Sequence, residues 1–114
     1  VAFLQEKGLN SIVLAGYSFG AWVNSKVLAG NDDLSDVVMV SPPVDFFAFD
    51  IAHLTGKCGL TICGDRDQFC PMRSLLGMAR ESGCRLEIVY GADHFYFGNE
   101  QVIKNHLNDY LKRA

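Results

Sequence analysis

The stretch Gly16-Tyr17-Ser18-Phe19-Gly20 sets one hydroxyl between two glycines, directly after the apolar run Ile12-Val13-Leu14-Ala15. A serine attacks a carbonyl only when a neighbouring base takes its proton and a third group holds that base in place. An apolar run, then Gly-x-Ser-x-Gly, then a stretch able to continue as a helix suits a sharp strand-to-helix turn that exposes the serine. So tight a turn forces strained backbone on the serine. Glycines two residues before and after leave room for the strand and helix to approach. The helix beyond the turn would aim its free N–H groups and positive dipole end at the point where an oxyanion forms.

Three histidines can be weighed as the base. His106 falls inside a final amphipathic stretch and reads as a surface or half-buried residue. His53 sits in a mixed segment with no strand to place it. His94, in Tyr90-Gly91-Ala92-Asp93-His94-Phe95, follows an apolar run and would lie on a loop at the carboxyl end of a sheet. The acid that fixes the imidazole tautomer should come from another strand's carboxyl end. Gly64-Asp65-Arg66-Asp67-Gln68-Phe69-Cys70-Pro71 offers two aspartates. Asp67 is preferred and Asp65 is the alternative. Asp93 reads better as a turn or cap residue, and Asp45, after an earlier strand, is a weaker option. The order Ser18, Asp67, His94 is the serine–acid–histidine order expected of a nucleophile turn in a parallel α/β sheet.

The elements that must position these groups can be read from periodicity. Ser11–Ala15, Asp36–Ser41 and Gly59–Gly64 are short continuous apolar runs bounded by turn residues, as strands buried on both faces would be. Cys84–Tyr90 alternates, with Leu86, Ile88 and Tyr90 opposite Arg85, Glu87 and Val89, as a strand wet on one side near the sheet edge would. Helical spacing is expected over residues 1–7. It returns after the serine turn through Val23, Val27 and Leu28, from Pro71 to a closing Gly83, and from about Asn99 onward. Residues 44–57 read as a loop with a short helix. The resulting order, α-β-α-β-(α)-β-α-β-α, implies a three-layer α/β/α unit with a parallel sheet of about four strands and right-handed crossovers. Ligands in such sheets sit beyond the carboxyl ends of the strands.

Composition bounds the rest. At 114 residues the chain, 1–114, is expected to be a single α/β unit. A formal net charge of -3 argues against a nucleic-acid footprint, which would be basic and clustered. No apolar run approaches the roughly 18 residues needed to span a bilayer, and no signal-peptide pattern opens the chain. Cys58, Cys63, Cys70 and Cys84 form no C-x-x-C pair and have no histidine at zinc-ligand spacing. They are expected to be buried, reduced thiols of a cytoplasmic protein.

Three blocks, Gly16-Tyr17-Ser18-Phe19-Gly20, Gly64-x-x-Asp67-x-x-x-Pro71 and Gly91-Ala92-Asp93-His94-Phe95, resemble the nucleophile, acid and base blocks of α/β-hydrolases. The flavour is that of dienelactone-hydrolase-like and small bacterial esterases. The resemblance implies a serine esterase with Ser18 as nucleophile, Asp67 as acid, His94 as base and the Phe19 N–H as one oxyanion donor. It implies no metal and no organic cofactor, and a small acyl or ester substrate as partner. Tyr17, Trp22, Phe46 and Phe95 are expected along an apolar acyl pocket, with Phe19, Phe47, Phe49 and Tyr96 as further aromatics of that kind. In the family the serine turn follows the fifth of about eight strands, so this chain resembles the C-terminal half of the fold. The loop that gives the second oxyanion N–H belongs to the other half. The strand before Ser18 is then expected to be an uncovered edge, which a second copy of the chain would pair with in a homodimer. A competing reading makes the chain a non-catalytic module of hydrolase ancestry, kept for assembly or binding.

Overall fold

A computed structural model of the chain describes residues 12–29, 36–50 and 54–113. Strands β1 (Val13–Tyr17), β2 (Asp36–Val40), β3 (Cys58–Gly64) and β4 (Arg85–Val89) form one parallel sheet in the order β1-β2-β3-β4. Helix α1 (Phe19–Ala29) follows β1, α2 (Met72–Ser82) links β3 to β4, and α3 (Glu100–Arg113) follows β4. The helix expected over residues 1–7 lies outside the described residues. In the connection from β2 to β3, Leu54 is helical and the other described residues form turns, bends or irregular chain; residues 51–53, and with them His53, lie outside the described residues.

Strand order explains the layering. Each successive strand steps the same way across the sheet, so crossovers of one hand put all their connections on one face. Ala21 and Leu28 of α1, Leu54 of the β2–β3 connection, and Leu75 and Met78 of α2 accordingly share one buried cluster with Val37 and Met39. The alternate residues of β2 and β3, Val38, Val40, Leu60 and Ile62, point the other way. Ile103, Leu107 and Tyr110 of α3 pack on that face. Being covered on both sides, β2 and β3 are buried almost throughout, which is why they read as continuous apolar runs.

The two outer strands differ. Among the described strands β1 pairs only with β2, and Ala15 at its middle is exposed. It runs through Gly16 to Tyr17, beyond the expected end at Ala15, because its pairing continues to Tyr17 opposite Val40. At the other edge Arg85 is exposed and Leu86 to Ile88 are partly buried. Val89, expected on the wet face, is buried beneath α3. In α1 the inward positions are Ala21, Ser25 and Leu28, at steps of four and three, while Val23 faces solvent. Helix α2 ends at Gly83 in the left-handed conformation, and the Gly83 N–H caps the Ala79 carbonyl.

Candidate active site

The serine stands where β1 gives way to α1. Ser18 has φ of 55°, a left-handed conformation uncommon for a residue with a side chain. Its N–H donates to the Val40 carbonyl (2.9 Å), and its own carbonyl accepts from Ala21 (2.9 Å). The turn is thus tied to β2 on one side and to the first turn of α1 on the other. Gly16 makes this possible. A Cβ there would sit 2.7 Å from the carbonyl carbon and oxygen of Gly20, inside van der Waals contact. A Cβ on Gly20 meets nothing within 4 Å, so the steric need for glycine falls on the strand side of the turn alone. Phe19 opens α1, where the leading N–H groups of a helix have no acceptor within it.

The loops after β3 and β4 lie against each other, and that closeness builds the rest of the site. Arg66 N–H donates to the Ala92 carbonyl (3.0 Å), and Gly91 N–H donates to Asp65 Oδ1 (2.7 Å). At Gly64 a side chain would not fit, since a Cβ would lie 2.2 Å from the Ala92 oxygen. This packing buries Asp67 and His94 to 4% and 6% exposure. Each Asp67 oxygen has a donor: Phe69 N–H reaches Oδ1 (2.9 Å) and His94 Nδ1 reaches Oδ2 (2.8 Å). The other imidazole nitrogen, Nε2, lies 2.7 Å from Ser18 Oγ. A carboxylate accepts only, so Nδ1 carries the proton and Nε2 presents its lone pair to the serine hydroxyl. Aromatic rings bracket the imidazole, with Phe69 at 4.6 Å and Tyr17 at 5.4 Å between centroids, and Phe95 edge-on at 5.5 Å. The Tyr17 hydroxyl also donates to the His94 carbonyl, at 2.5 Å. Burial, and then the charges of Asp67 and Asp93, push the Tyr17 hydroxyl up from its ordinary value.

The remaining candidates are held elsewhere. Asp65 is exposed and engaged with Gly91. Asp93 Oδ1 accepts the N–H groups of Phe95 (2.9 Å) and Tyr96 (3.2 Å), a turn-forming arrangement. Asp45 accepts from Ser74 Oγ (2.6 Å). His106 faces Glu87 at 3.9 Å.

A pocket of about 430 Å³ opens at the serine, lined by Ser18, Pro43, Phe46, Phe47, Phe69, His94 and Phe95. Phe46 and Phe95, expected along such a pocket, are in it. Tyr17 instead lines a separate apolar groove of about 410 Å³, shared with Val40, Tyr96, Ile103 and Leu107. Trp22 stands behind the pocket wall, its ring 5.0 Å from Phe47 and its Nε1–H bonded to the Ala48 carbonyl (2.9 Å). Phe49 packs against the core beneath. Phe19 meets Phe47 edge-on and lies tilted against Trp22 on the outer side. Sequence reading missed Pro43 and Phe69. The signal was there, since Pro42-Pro43 ends β2 at the same edge of the sheet and Phe69 follows Asp67 by two residues.

All four cysteines are buried free thiols. Donating a hydrogen bond to Cys84, and then burial, pushes the Cys58 thiol up; donating one to Cys63, and then burial, does the same to Cys70. Among the described residues no cluster of three or more His, Cys, Asp or Glu could hold a metal ion. No helix among them is long and apolar enough to cross a membrane.

Comparison with known proteins gives these features a setting. No family model matches the chain. An uncharacterised protein of Rickettsia prowazekii (strain Madrid E), RP471, is 27% identical over 122 residues, covering 96% of this chain and 51% of its own length. Among solved structures, ATU1826 from Agrobacterium tumefaciens, a protein of unknown function proposed to be an α/β hydrolase, superposes with a TM-score of 0.86 at 25% identity. The match covers 98% of this chain and 56% of that one. An α/β serine hydrolase homologue from Coxiella burnetii superposes with a TM-score of 0.78 at 24% identity, covering 93% and 52%. The chain spans about half the length of these proteins. It has the α/β-hydrolase fold.

Proposed function

We propose that this chain carries the nucleophile, base and acid of a serine hydrolase that cleaves carboxylic esters or related acyl compounds. The observation that carries the reading is the unbroken line from Ser18 Oγ through His94 to Asp67, with contacts of 2.7 and 2.8 Å at the two imidazole nitrogens. Ser18 Oγ attacks the acyl carbon while Nε2 takes its proton, and the carbonyl electron pair moves onto oxygen. The Phe19 N–H, at the positive end of α1, is one donor to that oxyanion. Collapse expels the alcohol, which receives the proton from Nε2, and leaves an acyl-serine. Water then repeats the sequence with the same base and releases the acid. Asp67 holds the imidazole in the tautomer that both halves need.

The pocket limits the acyl group. Apart from Ser18 and His94 its lining is proline and phenylalanine, so a charged acyl group would be desolvated there without a counter-charge. Uncharged apolar acyl groups fit that wall. Because the chain spans about half the length of its relatives, the activity is proposed for the whole protein. The same half-length span favours a second reading, a hydrolase-derived module that serves assembly or binding. A fluorophosphonate probe separates the two. Labelling of the full-length protein that is lost in Ser18→Ala supports the hydrolase; a folded protein that takes no label supports the module.

A further inference from the structure

We propose that Tyr17 is a positioning residue for the general base, a role that rests on reading His94 as that base. Asp67 grips the imidazole at one nitrogen, but a ring held at one point can still swing with its backbone. His94 lies between β4 and α3 on residues 90–99, which belong to neither a strand nor a helix. The start of that segment is tied to the acid loop through Gly91 and Ala92. Beyond the histidine, the buried Tyr96 hydroxyl is hydrogen-bonded to Ser41 Oγ. At His94 itself the main chain is held by the Tyr17 hydroxyl, which donates to its carbonyl at 2.5 Å.

Tyr17 is also the residue before Ser18. One residue therefore carries the nucleophile on its own peptide bond and grips the backbone of the base with its side chain. The 2.7 Å gap between Oγ and Nε2 is set across this single short bridge. Its ring adds a second restraint, 5.4 Å from the imidazole and 6.4 Å from the ring of Tyr96. Tyr17 is 46% exposed, so removing its oxygen leaves the core packing intact. A small loss of registry between reacting groups is felt in the chemical step more than in binding.

The test compares Tyr17→Phe, Tyr17→Leu and His94→Ala in the full-length protein. Each is measured for inactivation rate by a fluorophosphonate and for kcat and KM on a p-nitrophenyl ester, at a temperature where circular dichroism shows it folded. Tyr17→Phe is expected to lower kcat and the inactivation rate about tenfold, with KM within about twofold of wild type. Tyr17→Leu, losing the ring as well, is expected to fall further. Wild-type kcat in Tyr17→Phe, a change confined to KM, or failure of both variants to fold at any temperature overturns the proposal. His94→Ala reports on the underlying reading separately. If it keeps full activity the base assignment fails, whereas an inactive His94→Ala beside an unaffected Tyr17→Phe removes only the role given to Tyr17.

Discussion

Replacing Asp67 by asparagine changes one oxygen into an amide nitrogen, and the geometry dictates the consequence. The carboxylate faces two nitrogen donors, the Phe69 N–H at 2.9 Å and His94 Nδ1 at 2.8 Å. An asparagine can satisfy only one of them with its oxygen. If the oxygen stays on Phe69, the amide N–H faces Nδ1 and drives the imidazole proton to Nε2, which can then no longer accept from Ser18. If the amide flips, the useful tautomer survives but two N–H groups oppose each other at Phe69. That conflict costs about 1–3 kcal/mol, a population loss of roughly 5- to 150-fold. Neither arrangement supplies the negative charge that stabilises the imidazolium. Together these effects place the expected fall in kcat at about 10³–10⁴-fold. Asp65→Asn is the matched control. Its oxygen still accepts from Gly91, so the exposed residue keeps its bond and activity should stay within about twofold of wild type. Both variants would be titrated with a fluorophosphonate and assayed on p-nitrophenyl acetate, with thermal melts run alongside. A folded Asp67→Asn within tenfold of wild type, or an Asp65→Asn that loses as much as Asp67→Asn, would refute the reasoning.

Gly16→Ala is expected to lower the stability of the chain by about 1–3 kcal/mol in denaturant melts, because its methyl meets the Gly20 backbone at 2.7 Å. Gly20→Ala, with open space at its Cβ, should be neutral or slightly stabilising in the same melts. Phe46 lines the pocket yet is 61% exposed. Phe46→Ala should therefore raise KM for an apolar ester about tenfold while leaving kcat and the melting temperature near wild type. A thiol reagent such as Ellman's should find none of the four cysteines of this chain in the folded protein and all four in guanidinium. We expect the chain on its own to dimerise through the β1 edge and the apolar groove beside it; a monomer by light scattering at micromolar concentration would exclude this.

The fold was legible because β2 and β3 are covered on both faces, which forces continuous apolar runs that periodicity detects. Chain order then restricted where Ser18, Asp67 and His94 could lie, since ligands gather at one end of a parallel sheet. What the sequence left hidden depended on rotation and reach. Val23 and Leu76 carry apolar side chains at helical spacing yet face solvent, while Ser25 and Ser82 point inward. Helix stripes are read from side-chain type, whereas burial follows the angle at which each helix crosses the sheet. Tyr17 and Trp22, expected along the pocket, are close to the serine in sequence but do not line it. In a strand, though, successive side chains leave on opposite faces, which sends Tyr17 to the α3 side of the sheet. Phe69 was overlooked for the opposite reason, its place in the pocket being set by a loop with no periodicity to read.

Among the described residues three with side chains, Ser18, Ser41 and Tyr96, adopt positive φ, at 55°, 50° and 55°. Ser18 and Ser41 directly follow β1 and β2, while Tyr96 lies farther along the loop after β4, and each such conformation costs about 1–3 kcal/mol. They are also joined. The Ser41 hydroxyl bonds that of Tyr96, and Tyr96 meets the ring of Tyr17, whose peptide bond leads into Ser18. Burial and the Ser41 contact hold Tyr96 at 3% exposure with its hydroxyl also 3.5 Å from the Ile62 carbonyl. The strain is therefore concentrated where the loops meet rather than scattered over the surface. A backbone that relaxed at Ser18 would swing Oγ away from Nε2, and one that relaxed at Tyr96 would release the far side of the His94 loop. The Tyr17, Ser41 and Tyr96 hydroxyls are placed to oppose both relaxations, so polar contacts on the α3 side of the sheet add to the hold that the Asp67 carboxylate has on His94.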